Sequence, residues 1–328
     1  MKSDNYLKLL YAQILRGYST VYQKDGGKLF IKHLNNSETA ELNYIYEEAY
    51  EQAESCGLLS ESKKLEELYL SGDYPKEKEI EIAEIRGLIN NIYTALKKEI
   101  LPSKKRAMKA QIKEKEDKLF DLLQEKDAFL GLTIEKFADR KFYRHSILSC
   151  FYKDPELKQP LFNEIDIDEV DDVEHFMDLY GTCIQEFTEE NLKKIACSSF
   201  LLNCLICSDN AYEFFGIPTS KLTIFQLKLY HLGCRFRDIH KEMGDKIPKD
   251  ILDDPDKLIE YFEKGQARTA IEGKAGDDET VGLMGATQED LKELGVETNS
   301  KAQKTLMDEL KQKGSLDIHD YIRIHGIG

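Results

Sequence analysis

Residues 75–131 read PKEKEIEIAEIRGLINNIYTALKKEILPSKKRAMKAQIKEKEDKLFDLLQEKDAFLG, and their spacing decides the fold. Ile82, Ile85, Ile89, Ile92 and Leu96 recur at alternating helical intervals. That places them on one stripe of an α-helix and leaves the opposite face to Lys and Glu. Met108, Ile112, Leu119, Leu122 and Phe129 keep the same register in a second arm, with Lys115 and Lys126 at two further stripe positions. Between the arms, Pro102 has no N–H to donate and its ring meets the preceding turn, so the first helix stops there. Ser103 is placed to cap the second helix through its side-chain oxygen. The prediction is an antiparallel helical hairpin turning at Leu101-Pro102-Ser103, which is a shape and not an activity.

On the N-terminal side the pattern changes twice. Residues 4–15 place Leu7, Leu10, Tyr11 and Ile14 on one side of a short helix that Gly17 closes. Two β-prone runs, Tyr18–Gln23 and Lys28–His33, then flank Lys24-Asp25-Gly26-Gly27, a strong hairpin signal because glycine tolerates positive φ. Ser37 reads as the cap of the next helix, with Leu42, Ile45, Tyr46, Ala49, Tyr50 and Ala53 on its inner face and Gly57 at its end. A shorter helix spans 61–70.

On the C-terminal side, residues 133–151 read as a helix with Phe137, Phe142 and Ile147 inward, followed by a turn-rich connection near residue 155. The most apolar part of the chain follows, as helices over 191–207, 211–215 and 223–243, with another starting at Asp254-Pro255. Gly265, Gly273, Gly276, Gly282 and Gly285 then fall among polar residues, which reads as a flexible linker, and three short helical patterns close the sequence. The resulting reading is mainly α, with five parts. Residues 1–74 are N-terminal helices with the β-hairpin 18–33, and 75–131 are the helical hairpin. Residues 132–263 form a compact helical core, 264–286 the linker, and 287–328 a small tethered helical unit.

With 41% hydrophobic and 33% charged residues and a net charge of −15, the composition is that of a soluble protein with long charged helix faces. The acidic balance argues against a generic nucleic-acid coat, which needs a basic surface. No window reaches the apolar length of a membrane span, and the N-terminus turns polar too early for a secretory signal. The seven cysteines, an odd number and mostly in apolar segments, read as free thiols in a reducing compartment.

The sharpest candidate for chemistry is Cys204-Leu-Ile-Cys207 with His231-Leu-Gly-Cys234, the spacing of a tetrahedral zinc site. The competing reading is buried thiols, because Cys204 and Cys207 lie inside an apolar run and not in a polar knuckle. The acidic run Asp166, Asp168, Asp171, Asp172 and Glu174 lacks the glycine and terminal glutamate of a calcium loop and reads as a solvated face. His145, His175, His231 and His240 have no nucleophile motif nearby, and no phosphate loop, dinucleotide fingerprint or zinc-protease motif is present. No catalytic residue and no cofactor are assigned.

The hairpin turn carries the local charge anomaly. Lys97, Lys98, Lys104, Lys105, Arg106, Lys109, Lys113, Lys115 and Lys118 face only Glu99, Glu114, Glu116 and Asp117. On an acidic chain such a tip orients toward an acidic neighbour, another copy of the chain among the candidates. The competing reading is a solvated helix face with i,i+4 pairs. Candidate partner contacts are Lys104, Lys105, Arg106 and Lys109 at the tip, and Tyr18, Val21 and Phe30 on the β-hairpin, whose free strand edge suits augmentation.

Several stretches together resemble virion-associated or tail-assembly proteins of large tailed bacteriophages. They are GYSTVYQKDGGKLFIKH (17–33), the helix–LPS–helix arm, FADRKFYRHSILSCFYKD (137–154), FFGIPTSKLTIFQ (214–226), and the ending GATQEDLKELG (285–295) with KGSLDIHDYIRIHG (313–326). The resemblance implies a non-enzymatic part in the tail, neck or baseplate region. It implies other protein chains as partners, the host cytoplasm during assembly as the place of action, and no catalytic residue. The alternatives are an assembly chaperone that is not retained in the particle and a metal-dependent enzyme with a site built from scattered residues.

Overall fold

A computed structural model describes residues 4–23, 26–163, 167, 170, 172–274 and 289–290. The fold is mainly α with a small antiparallel sheet near the N-terminus. The described residues divide into two compact units. Met1–Lys64 with Leu132–Leu258 contribute to one, and Leu65–Gly131 with Ile259–Gly328 to the other.

In the first unit, α1 (Asp4–Arg16) buries Leu10 and Ile14, and Gly17 at φ +75° turns the chain into the sheet. Strands β1 (Tyr18–Tyr22) and β2 (Lys28–Lys32) pair antiparallel in the register Tyr18 with Lys32 and Thr20 with Phe30. A third strand, β3 (Phe151–Tyr152), adds to β2 with Ile31 opposite Phe151, which leaves β1 at an edge. Leu29, Ile31, Cys150 and Phe151 make one core cluster. Phe151 therefore ends up in a strand and not in the preceding helix, because α7 (Ile134–Leu148) stops three residues earlier. Residues on either side of the turn-rich connection near position 155 belong to the same unit.

The helix read as capped by Ser37 starts at Asn35 and is interrupted. Asn35 and Glu38 form a capping box, each side chain bonding the other's backbone N–H, and open α2 (Asn36–Glu41). After Leu42 the chain resumes as α3 (Asn43–Ser55), which buries Ala49 and Ala53 as its periodicity predicts. The small alanines let α3 lie close against α7, which buries Ala138.

The remaining helices of this unit are α8 (Val173–Ile184), α9 (Glu189–Cys197), α10 (Ser199–Ile206), α11 (Ala211–Phe215) and α12 (Ile224–Met243). The apolar run read as one helix over 191–207 breaks at Ser198, whose extended backbone is the N-cap of α10. Gly216 ends α11 at φ +70°, and the Thr223–Gln226 capping box opens α12. Gly233 of α12 sits under α10: a Cβ there would stand 2.3 Å from a Leu205 methyl and 3.1 Å from one of Leu201.

The second unit is the helical hairpin with parts of its surroundings. It contains the end of α4 (Glu61–Ser71), then α5 (Lys76–Leu96), α6 (Pro102–Leu130) and most of α13 (Pro255–Lys274). On the facing stripes Ile82, Ile85 and Ile112 are buried, and Ile89, Ile92, Leu96, Met108, Leu119 and Leu122 are half-buried. Phe129, read as a stripe residue, is 41% exposed, its ring lying 5.6 Å from that of Tyr74. Helix α13 continues to Lys274, past the point at residue 264 where the linker was expected to begin. The rest of the linker and the C-terminal helical unit lie outside the described residues, apart from a helical Glu289-Asp290.

Candidate functional site

The turn of the hairpin is built by three devices. Helix α5 ends at Leu96, and the Glu99 carboxylate accepts the N–H groups of Ile100 and Leu101 at 2.9 and 3.0 Å, fixing the connection. Leu101, fully buried, is the N-cap of α6 with no side-chain cap of its own, and Pro102 takes the first helical position, where a missing N–H costs nothing. Ser103 does not cap the helix as its sequence position suggested. It donates its N–H and its hydroxyl to the two carboxylate oxygens of Asp290, at 2.8 and 2.7 Å. A buried carboxylate 187 residues away thus takes the place of an N-cap.

Four lysines of the basic run lie around this turn. Lys97, Lys98, Lys105 and Lys109 share one cavity of about 490 Å³ with Tyr93 and Gln266. Lys105 lies 4.0 Å from the Glu263 carboxylate of α13, and Lys104 and Arg106 likewise have interaction partners. The contributions of Tyr93, Glu263, Gln266 and Asp290 were not legible, since none belongs to the basic run.

Farther along the hairpin the two arms are tied by charge. Glu79 accepts from Tyr74 Oη at 3.2 Å and from Lys126 Nζ at 3.1 Å, and Lys118 meets Glu81 at 2.5 Å. Lys78 pairs with Glu125, and Tyr93 Oη donates to Glu116 at 2.9 Å. Lys126 thereby fills a stripe position without leaving a charge unanswered. Lys115 pairs with its neighbour Glu114. Burial, together with the adjacent Glu79 carboxylate, holds the Tyr74 phenol well above its ordinary range.

The β-hairpin candidates are placed less openly than a docking strand requires. Val21 packs on the Leu29–Ile31–Cys150–Phe151 cluster. Tyr18 and Phe30 pair with each other across the strands, rings 5.6 Å apart and nearly perpendicular. All three are partly buried.

Behind that sheet lies a polar cluster that sequence reading missed. Ser19, 1% exposed, donates to Gln13 Oε1 at 3.0 Å and stands 2.9 Å from His33 Nε2. With the serine proton on Gln13, Nε2 of His33 carries a hydrogen and donates it to Ser19. His33 Nδ1 then has no hydrogen-bond partner among the described residues, and the ring is flanked edge-on by Phe187 and Phe225. Burial pushes the His33 pKa down to about 4, keeping the ring neutral. A serine–histidine contact invites comparison with a nucleophile and its base, but at 1% and 2% exposure no substrate reaches it. Its only sequence signal is two polar residues, Ser19 and His33, within the two β-prone runs.

The zinc candidates are not brought together. Cys204 and Cys207 are exposed at the end of α10, and His231 lines a groove of about 470 Å³ with Phe187, Leu192 and Ile224. Cys234 is half-buried beside Tyr230. Among the described residues no three His, Cys, Asp or Glu side chains form a group able to hold a metal ion. Cys150 and Cys197, by contrast, are buried thiols, each pushed up to about 12 by burial, and Cys150 donates to the Ser146 carbonyl at 3.0 Å. In the acidic stretch, Asp172 is the N-cap of α8, and Asp166, Asp168 and Asp171 lie outside the described residues. Arg144 anchors the same stretch by donating to the carbonyls of Ile167 and Val170 at 3.1 and 3.2 Å.

No helix among the described residues is long and apolar enough to cross a membrane. No family model matches the chain, and no curated protein or solved structure matches it.

Proposed function

We propose that this protein is a non-enzymatic structural or assembly component of a tailed-phage virion, in the tail, neck or baseplate region, and acts through contacts with other protein chains. The observation that carries the reading is the hairpin tip: a turn fixed by internal hydrogen bonds, presenting a cluster of cations on a chain of net charge −15. Complementary fields of this kind set partner choice and encounter rate more than affinity. The apolar side chains left on the outer faces of the arms, Ile80 at 59% and Phe120 at 60% exposure, supply contact area of the sort a partner covers. Partners are other protein chains, copies of this one included, and the place of action is the host cytoplasm during assembly and then the particle.

Mass spectrometry of purified particles tests the reading. Presence at a fixed copy number supports it, and absence from particles overturns the structural role. Replacing Lys104, Lys105 and Arg106 with Glu is expected to impair assembly at low ionic strength, where surface fields are least screened. Unchanged assembly under those conditions removes the tip from the interface.

A further inference from the structure

We propose that the cavity at the hairpin tip is a binding site for a small molecule carrying a polyphosphate group. The inference rests on the geometry of this unit and stands or falls apart from the virion role.

Four lysines line the cavity from two segments of the chain. Lys97 and Lys98 come from the end of α5, and Lys105 and Lys109, one helical turn apart, from the start of α6. Two carboxylates share the lining, so four positive charges against two negative leave +2. Both carboxylates are engaged: Glu99 is held by the backbone N–H groups of the turn, and Glu263 lies 4.0 Å from Lys105. Lys97, Lys98 and Lys109 have no ion pair among the described residues.

The first turn of α6 has no acidic residue of its own, and the anion placed at that end is the Asp290 carboxylate, which takes both donors of Ser103. A bound anion relieves the repulsion among the lysines.

Size and wall chemistry narrow the ligand. A cavity of about 490 Å³ falls within the usual range for small-molecule sites. Leu96, Ile100 and the Tyr93 ring add an apolar portion beside the lysines, which suits a flat ring attached to the charged group. A nucleoside polyphosphate supplies both parts and inorganic tripolyphosphate supplies one. A long nucleic acid is disfavoured by the acidic remainder of the chain.

The test is calorimetric titration of the full-length protein at low ionic strength with ATP, tripolyphosphate, adenosine and an oligoglutamate peptide. ATP and tripolyphosphate are expected to bind, adenosine not, and added salt to weaken both phosphate ligands. Tighter binding of ATP than of tripolyphosphate seats the ring on the apolar wall, and equal binding restricts the site to the phosphate chain. The double variant Lys98→Gln/Lys109→Gln should lose about tenfold or more in affinity for either ligand. Should that variant fail to fold, lysine acetylation footprinting of the wild type replaces it, with Lys97, Lys98 and Lys109 protected by ATP. The proposal is overturned by no binding at millimolar ATP, by binding that the double variant or the footprint does not map to these lysines, or by oligoglutamate binding where the phosphates do not.

Discussion

The two compact units keep their shape by different means. In the first, segments far apart in sequence bury their apolar side chains completely: Ile31 and Phe151 in the sheet cluster, and Ile14 of α1, Ile195 of α9, Leu205 of α10 and Phe236 of α12 among the helices. Among the described residues of the hairpin unit, Tyr74, Ile82, Ile85, Leu101, Ile112 and Leu130 are buried, and most other seam positions of α5 and α6 are half-buried and flanked by cross-helix ion pairs. Burial of apolar area stabilises by about 25 cal/mol per Å². The closed unit therefore draws its stability from packing, whereas the hairpin draws more from local helix formation and leaves more of its surface to contact something else.

Core truncation gives the largest expected contrast. Phe236→Ala should cost about 3–5 kcal/mol, because its cavity is walled by several helices and cannot collapse. Ile112→Ala, at a two-helix seam with solvent on either side, should cost about 2 kcal/mol, the low end of the range for such a change. Urea unfolding of the two variants measures both. Equal costs would break the contrast and show a seam as closed as the core.

A pH titration sharpens it from the side of the closed unit. The folded-state pKa of His33, about 4, lies below the ordinary histidine value near 6.5. The unfolded chain thus takes up the proton first. Stability from this group is complete above about pH 6.5 and is lost as pH falls toward 4. Between pH 8 and 4.5 the loss should be about 2–3 kcal/mol. The check is the difference in urea midpoint against His33→Phe, in which carboxylates titrate alike and the histidine does not. Parallel pH curves for the two proteins would mean that the unpartnered Nδ1 reaches water.

What the sequence made legible follows the same division. The hairpin is local, so a helical period, a proline and a run of lysines were enough to place α5, α6 and the charged turn. The β-hairpin was legible for the same reason, from the Asp-Gly-Gly between two β-prone runs. Two residues are too short for a period, so Phe151-Tyr152 gave no strand signal; they pair with β2 only because the core brings them there. Ser198 breaks an unbroken apolar run, and neither Asn35 in place of Ser37 as a cap nor the Asp290 carboxylate on Ser103 follows from composition. At the candidate site the cations were legible. The tyrosine, the glutamine and the carboxylates that complete the cavity and the turn come from contacts that spacing does not encode.

Gly233 tests how tightly the closed unit is packed. In an exposed helix, Gly→Ala would stabilise by about 1 kcal/mol through helix propensity. Here the new methyl meets Leu205 and Leu201, both fully buried, so their side chains have little room to yield. Overpacking costs about 1–3 kcal/mol, and Gly233→Ala should come out destabilising by about 1 kcal/mol. A higher unfolding midpoint would show that the α10–α12 contact has slack, contrary to the close-packed picture.

The smallest effect bears most directly on the hairpin. Lys126 sits at a stripe position with its side chain 14% exposed and bonds Glu79, 28% exposed. Lys194 and Glu190, in the closed unit, form an i,i+4 pair with 34% and 67% exposure. If the hairpin seam uses charge where the core uses hydrocarbon, the double-mutant cycle Lys126→Met/Glu79→Gln should give a coupling of about 1 kcal/mol. The cycle Lys194→Met/Glu190→Gln should give about 0.3 kcal/mol, since solvent and side-chain entropy cancel most of an open pair. Raising ionic strength should reduce the second proportionally more than the first, because the half-buried pair is less screened. Tyr74 Oη also donates to Glu79, so Tyr74→Phe should change the first coupling as well. If the two cycles give the same value, the pairs along α5 and α6 are solvated decoration, and the hairpin is held by its isoleucine stripe alone.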